Sequence, residues 1–529
     1  MASDDLTEPV AGRGPRDECA VVGVYAPGQP VGHLALAGLI ELNHRGQESS
    51  GIAVANGERV LIAKGQGIAE VVFGFHQEVP ILDGQLLAVG HNRYSTSGAL
   101  CDAQPLEYNG LLLAHNGNLT NASYLRQDFQ PPSVNGEQPQ SDSAVALHVL
   151  SRSEGRDPID RILHGLRHMQ GAYSFVLATR DTLIGARDPH GFRPLVLGRL
   201  MGDGADTAAD AATDAATDAA TENDRVGLGW VLASETSAFP RMGAVLVREV
   251  EPGEVVCIRG KGEADVISYS LNPLSPAAPA RCIFELVYLS RPDSFIFGQS
   301  VEFFRRRTGE ILARKAPVHA DLVMPVPRSG IPASIGYAAS GIAKELGINY
   351  EAGLLTNAYS GLRTGFRTFI QPAGRDSAAV LKYSVVEQVV RGKDLIVVDD
   401  SVVRGSFRRI AEKLRAAGAK SIHLRVAAPP LVGGCYYGVD FGPGELLANR
   451  IPDMDDRAAY LGVDSLVHVT WKELVEAAVD ARLPGYGDFD PAVFEQHGFC
   501  GACFTHRYPT DVSGTIGKDL LPLQVAALA

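Results

Sequence analysis

LIVVDDSVVRGSFRRIAEKLRAAGAKSIHLRVAAP, residues 395–429, reads as strand, loop, helix and strand in that order. The apolar run Leu395–Val398 ends in Asp399 and Asp400. A loop containing Gly405 and Ser406 then opens FRRIAEKLRAA, whose apolar residues recur at helical spacing and which Gly418 closes. The same alternation begins upstream with strand DLVMPVP and one continuous helix, IPASIGYAASGIAKEL, closed by Gly347. Strands joined through helices build a mostly parallel, doubly wound sheet. At the carboxyl end of such a strand, a loop and helix N-terminus present N–H groups and positive dipole to a phosphate. Asp399 and Asp400 would repel that phosphate directly, so they fit contact with ribose hydroxyls or action through a divalent metal. The plainer alternative is a capped loop with two exposed acids.

Before about residue 270 the pattern differs. Short β-like runs dominate: CAVVGVYA, SGIAVAN, LLAVGHNRY, LLLAHNG, AYSFVLATR and GWVLASE. Helical spacing appears in LALAGLIEL after Gly32, in SDSAVALHVLSR with Ser141 as N-cap, and in IDRILHGLRHM from Ile159. This half reads as sheets packed against helices, so the chain combines α+β and α/β parts in two domains. The repetitive DTAADAATDAATDAATEND, 206–224, falls between two β-like runs and reads as a solvated hairpin insertion.

A chain of 529 residues, 45% hydrophobic, has length for two to four domains at roughly 100–200 residues each. Its net charge of -13 offers no basic excess for nucleic acid or an anionic membrane. Neither an apolar signal core nor a run of about 18 uncharged apolar residues is found, which makes the cytoplasm the expected compartment. Seven cysteines, an odd number, favour metal binding or catalysis over a disulfide framework.

The strand-acid-loop segment resembles the type I phosphoribosyltransferase fingerprint of the amidophosphoribosyltransferases, and the rest of the chain is similar to that family in order. DECAVVGVYAP, NHRGQESSGIAV, HNRYSTSG, AHNGNLTNA, RDPHGFRP, REVEPGE, YLSRPDS and FRTFIQP follow one another as they do there, covering about residues 17–508. The resemblance implies an N-terminal-nucleophile glutaminase, an αββα sandwich over 19–270, followed by a type I phosphoribosyltransferase sheet over 281–480 and a C-terminal segment over 481–529. Residues 1–18 would be a propeptide whose removal exposes Cys19. The α-amine of Cys19, with a reference pKa near about 8, could then act as the base. A buried apolar strand cysteine is the ordinary alternative.

By the same resemblance, Asn116 and Gly117 form the oxyanion hole, and Arg93, Thr96 and Asp142 clamp glutamine by its α-carboxylate and α-ammonium. Arg45 lies in a matched motif and is expected to bind substrate. In the second half Arg367, Thr368, Arg404, Gly405 and Ser406 would contact the phosphoribosyl substrate, and Ser329, Asp399 and Asp400 a magnesium ion. Cys282, Cys435, Cys500 and Cys503 lie at the family's iron–sulfur positions. Four thiolates suit a [4Fe–4S] cluster, while zinc also accepts four cysteines, so iron is carried by the resemblance alone. Cys101 and Cys257 match no role.

The implied activity is cleavage of glutamine and transfer of its ammonia to phosphoribosyl pyrophosphate, giving 5-phosphoribosylamine, the first step of purine synthesis. A homo-oligomer inhibited by purine nucleotides is expected with it, without nucleic acid or membrane. The chain departs from the family pattern at Ala20, at Arg328, at Phe407 in RGSFRR, in about five inserted residues before Arg367, and in Leu381–Ser384. The changes at Arg328, Phe407 and the loop insert motivate one alternative, a specialised relative that aminates another phosphosugar; a second, of a different class, is a non-catalytic regulator that binds phosphoribosyl compounds.

Overall fold

The computed structural model describes residues 19–93, 100–133, 136, 138–202, 227–260, 264–272, 274, 277–356, 383–439, 441–480 and 498–512. The expected leader, Thr96, the 206–224 insert, Arg367 and Thr368 lie outside the described residues.

The first half is built on two antiparallel sheets. One is formed by β1 (Ala20–Tyr25), β2 (Ser49–Ala55), β3 (Val60–Gln66), β4 (Leu87–Arg93), β9 (Val196–Met201), β10 (Gly227–Ala233) and β11 (Ala244–Glu249). The other contains β5 (Leu106–Tyr108), β6 (Leu111–Leu119), β7 (Gly171–Ala178), β8 (Leu183–Arg187), β12 (Glu254–Arg259) and β13 (Asp265–Ser270). Their orders are β11-β9-β10-β1-β4-β2-β3 and β13-β12-β8-β7-β6-β5. β1 shows why the strands read as continuous apolar runs. Val22 and Val24 face helix Val31–Glu41 on one side, while Val21 and Tyr25 face the second sheet on the other, so both faces are buried. The outer face of the second sheet packs through Leu113, Phe175 and Ile184 on helices Asp142–Arg152 and Pro158–Leu166. Helix, sheet, sheet and helix therefore form four layers, and at about 1.5–3 kcal/mol per fully buried aliphatic side chain the inter-sheet core is a main source of cohesion. β9 and β10 pair antiparallel from Met201 opposite Gly227, so the strands that flank the insert are hairpin partners.

The second half carries a parallel sheet in the order Asn349–Tyr350, Leu322–Pro325, Asp394–Asp399, Ser421–Val426 and Ser465–His468. Ile396 and Val398 point to helices Val301–Lys315, Ile331–Ala339 and Trp471–Asp480. Leu395 and Val397 point the opposite way, to helices Phe407–Ala416 and Met454–Leu461, which makes the sheet doubly wound. The strand order reverses between Leu322–Pro325 and Asp394–Asp399, the switch point where such sheets bind ligands.

One expected element is corrected. IPASIGYAASGIAKEL is two helices, Ile331–Ala339 and Gly341–Glu345, because Ser340 adopts an extended backbone and its hydroxyl accepts the Ala343 N–H at 3.1 Å, capping a new helix.

Candidate active site

Cys19 leads directly into β1, where Ala20 pairs with Asn92 of β4. Arg45 reaches the same end of the strand and its Nε donates to the Cys19 carbonyl at 3.3 Å. Arg45, expected to bind substrate, turns its side chain into the protein. Its guanidinium is buried, donating from Nη1 to Glu235 at 2.6 Å and from Nη1 and Nη2 to Glu285 at 2.9 and 2.7 Å. Arg45 thus holds the main chain of Cys19 and has its remaining N–H groups committed inside the protein.

The two carboxylates differ in origin. Glu235 follows β10 and also accepts from His44 at 2.8 Å and from Ser294 at 2.6 Å. Glu285 opens the π-helical turn Glu285–Leu289 and also accepts from Ser290 at 2.8 Å and Arg193 at 3.4 Å. Burial alone would raise the pKa of Glu235, yet His44 and Arg45 outweigh it and hold the carboxyl well below its usual range. Burial would lower that of Arg45, and Glu285 with Glu235 raise it instead. Glu235 and Arg45 therefore form a charged pair, and breaking such a buried pair costs about 3–5 kcal/mol.

Across the inter-sheet layer, β6 presents Asn116 and Gly117. His91, opposite Val21 in the β1–β4 pair, bonds from Nε2 to the His115 carbonyl at 3.1 Å, which ties this end of β6 to the Cys19 end of β1. Asn116 is fully buried, and neither its carboxamide nitrogen nor its oxygen has a hydrogen-bond partner among the described residues. A buried amide left unsatisfied costs stability, and a ligand that supplied the missing bonds would relieve that cost. Gly117 has φ +146, and a Cβ there would stand 2.2 Å from the Ala172 carbonyl oxygen, so no other residue fits.

Asp142 heads the helix that Ser141 caps. Its carboxylate accepts the Leu119 N–H at 2.9 Å and the Ser143 N–H at 2.8 Å, and lies 3.7 Å from His115 Nδ1. Arg93, at the end of β4, is buried beside the Arg45–Gly46 backbone. Cys19, Asn116, Gly117 and Asp142 thus come from strand ends and a helix start at one edge of the sandwich. Glu235, Glu285 and Arg193 were missed at the sequence level. Their signal was an acid inside an apolar run, FELVYL, or closing one, GWVLASE, since such a group must find a buried partner.

At the switch point of the second half, Val326 N donates to Val398 O at 2.9 Å, so the loops carrying Ser329 and Asp399–Ser406 lie side by side. Asp399 is half-buried; Asp400 is buried and accepts from Ser401 at 2.5 Å. Arg404 is paired with Glu445, so its guanidinium is already engaged, and the segment Gly405–Ser406 offers main chain at the start of helix Phe407–Ala416. Phe407 packs into the apolar core with Ile410 and Leu424 and does not face the loop. Arg328 is exposed at the loop tip.

Cys282, Cys435, Cys500 and Cys503 line a single apolar-walled cavity of about 20 Å³, closed by Phe192, Phe284 and Tyr437. Cys282 lies opposite Cys500 in a two-strand parallel pairing, and the Tyr437 N–H points to Cys435 Sγ at 3.4 Å. Burial pushes the Cys282, Cys500 and Cys503 thiols up, and the Arg193 charge opposes this at Cys282 and Cys500. Among the described residues no three His, Cys, Asp or Glu groups converge on one ion.

A cysteine-led strand in one sheet, a buried amide without a partner among the described residues in the facing sheet, and a separate parallel sheet with an acid-ended switch point fit a glutamine amidotransferase joined to a phosphosugar-type domain. Residues 91–209 match a family described as a glutamine amidotransferase domain. The amidophosphoribosyltransferase of Mycobacterium tuberculosis is 38% identical over 97% of this chain and 91% of its own length; the chloroplastic amidophosphoribosyltransferase 2 of Arabidopsis thaliana is 38% identical over 94% and 80%. The glutamine phosphoribosylpyrophosphate amidotransferase of B. subtilis, solved with ADP and GMP, superposes with a TM-score of 0.76 at 35% identity, covering 93% of this chain and 98% of that one. The chain belongs to the amidophosphoribosyltransferase family.

Proposed function

We propose that Cys19, freed as the first residue, attacks the carboxamide of glutamine while its own α-amine takes the thiol proton. Asn116 and the Gly117 N–H receive the oxyanion, ammonia leaves, and water releases glutamate from the thioester. Arg93, Thr96 and Asp142 hold the amino acid end. The ammonia then attacks C1 of phosphoribosyl pyrophosphate, forming the C–N bond of 5-phosphoribosylamine as the bond to pyrophosphate breaks. The unpartnered buried carboxamide of Asn116 is the observation that carries this reading.

In the second half we assign the 5-phosphate to the main chain of Arg404–Ser406, with Arg367 and Thr368 closing over the substrate. A magnesium ion near Ser329, Asp399 and Asp400 would neutralise the departing pyrophosphate. The four cysteines lining one cavity suit a [4Fe–4S] cluster, with iron over zinc carried by likeness to the family; Arg193 would balance the cluster's charge, and its role would be structural or oxygen-sensing. Purine nucleotides as inhibitors, by likeness to the B. subtilis enzyme solved with ADP and GMP, a homo-oligomer and a cytoplasmic location complete the proposal. Among the described residues no helix is long and apolar enough to cross a membrane.

The test is glutamate and pyrophosphate release by anaerobically purified protein given glutamine and magnesium, with and without phosphoribosyl pyrophosphate. One-to-one release that needs phosphoribosyl pyrophosphate is expected. Glutamate without pyrophosphate would favour the second reading, amination of another phosphosugar, for which exposed Arg328 at the switch-point loop is the specific observation.

A further inference from the structure

The glutaminase centre is held from outside its own half of the chain. On the nucleophile side, Glu285 grips both terminal nitrogens of Arg45, and Arg45 fixes the carbonyl of Cys19. The carbonyl carbon and the amine proposed as base are both bonded to the Cys19 Cα, so anchoring the carbonyl narrows where the amine can stand. On the oxyanion side, Asn118 Nδ2 donates to the Tyr436 carbonyl at 2.8 Å. Gly438, at φ +121, lies flush on the same strand: a Cβ there would sit 3.3 Å from Gly117 and 3.1 Å from Arg193 Nη2. Arg193 joins the two sides, with Nη1 on Glu285 and with Nε and Nη2 on the Tyr437 carbonyl at 2.9 and 2.6 Å. The result is a continuous path from Cys19 through Arg45, Glu285, Arg193 and the Tyr436–Gly438 turn to Asn118 and Gly117. Its central pieces, Glu285 and the turn, belong to the second half and follow Cys282 and Cys435 closely in sequence.

We propose that Glu285 and Asn118 are positioning residues through which the second half of the chain sets the distance between the Cys19 nucleophile and its oxyanion hole. The inference rests on reading Cys19 and Asn116 as the catalytic pair. Neither positioning residue touches glutamine: Glu285 acts through Arg45 on Cys19, and Asn118 acts through the strand that carries Gly117. A displacement of about 1 Å at a reacting centre costs on the order of 10²-fold in rate while leaving binding groups in place, so the signature is a fall in kcat with KM nearly unmoved.

The test uses full-length, anaerobically purified protein and the variants Glu285→Gln, Glu285→Asp, Asn118→Ala and Cys19→Ala. Glutamate release is followed for kcat and KM, and pyrophosphate release is followed with ammonium chloride in place of glutamine, which bypasses the first site. Expected are kcat values for glutamine lowered about 10- to 100-fold in Glu285→Gln and Asn118→Ala, KM within about threefold, partial recovery in Glu285→Asp, and ammonium-driven rates kept above about half. Asn118 is only half-buried, so Asn118→Ala carries the test if Glu285→Gln does not fold. Parent kcat in Asn118→Ala, or an equal loss of the ammonium-driven rate, overturns the inference. Undiminished glutamate release by Cys19→Ala sinks the catalytic reading itself, whereas loss in Cys19→Ala with no change in Asn118→Ala sinks this inference alone.

Discussion

Asn116 shows how a single side chain discloses a site: a fully buried carboxamide without a partner is unfavourable in a resting protein and useful in a reacting one. Asn116→Ala should lower kcat for glutamine about 10²–10³-fold with a smaller change in KM; steady-state glutamate release decides, and a loss confined to KM would count against the oxyanion role. Buried histidines give a second residue-scale expectation. Burial lowers the pKa of His91 to about 3 and of His468 to about 4, against about 6.5 for a free imidazole. Below pH 6.5 the unfolded chain gains protons there that the folded chain refuses. The stability these groups confer is complete above pH 6.5 and is lost on acidification, at about 1.4 kcal/mol per pH unit for each. Thermal midpoints at pH 7.5, 6 and 5 should fall in that order, and His468→Asn should flatten part of the slope. Arg45 marks the limit of sequence reading at this scale, since an Arg in a matched motif serves a substrate or an internal carboxylate equally well. Only the fold shows that two glutamates from distant segments claim it.

Elements buried on both faces were legible. β1, β2, β4, β6, β7 and β10 appear where apolar runs placed them, because continuous burial leaves little room for another pattern. β3 was not, since most of its residues are exposed or half-buried and Leu61 and Ile62 stand at the sheet edge. The break at Ser340 is not legible in the sequence because Ser suits a helix interior tolerably and a cap well, and periodicity cannot distinguish the two. Ser340→Ala should remove the cap and cost about 1 kcal/mol in chemical denaturation, without altering glutamate release. Gly117→Ala belongs to the same scale: its Cβ would force β6 away from β7, so glutaminase activity should disappear while ammonium-driven pyrophosphate release persists. Retained glutaminase activity in that variant would mean that the strand end is more yielding than its geometry implies.

For the whole molecule, both folds were legible from the switch between β-like runs and strand-helix alternation, and the acid-ended strand marked the ligand end of the parallel sheet. Convergence was not legible. Nothing in local spacing sets Cys282 opposite Cys500 or brings both near Cys435, because a cavity is a property of tertiary packing. Protein purified without oxygen is expected to show iron and sulfide in equal amounts, near four of each, together with broad visible absorption; Cys435→Ser should lose that colour and melt at a lower temperature. Zinc as the sole metal would overturn the cluster assignment.

The buried pairing of Arg45 with Glu285 also has a practical reading for anyone recombining such enzymes. Composition changes near residues 270–280, which invites a splice there. Such a cut would take from the arginine one of its two carboxylate partners, leaving Glu235 alone to hold it in an interior that cannot hydrate the vacated side. A transferable glutaminase cassette therefore has to carry the stretch through Ser290 as a plug, together with an acceptor domain shaped to receive it. Family members should exchange these halves less freely than their visible modularity suggests.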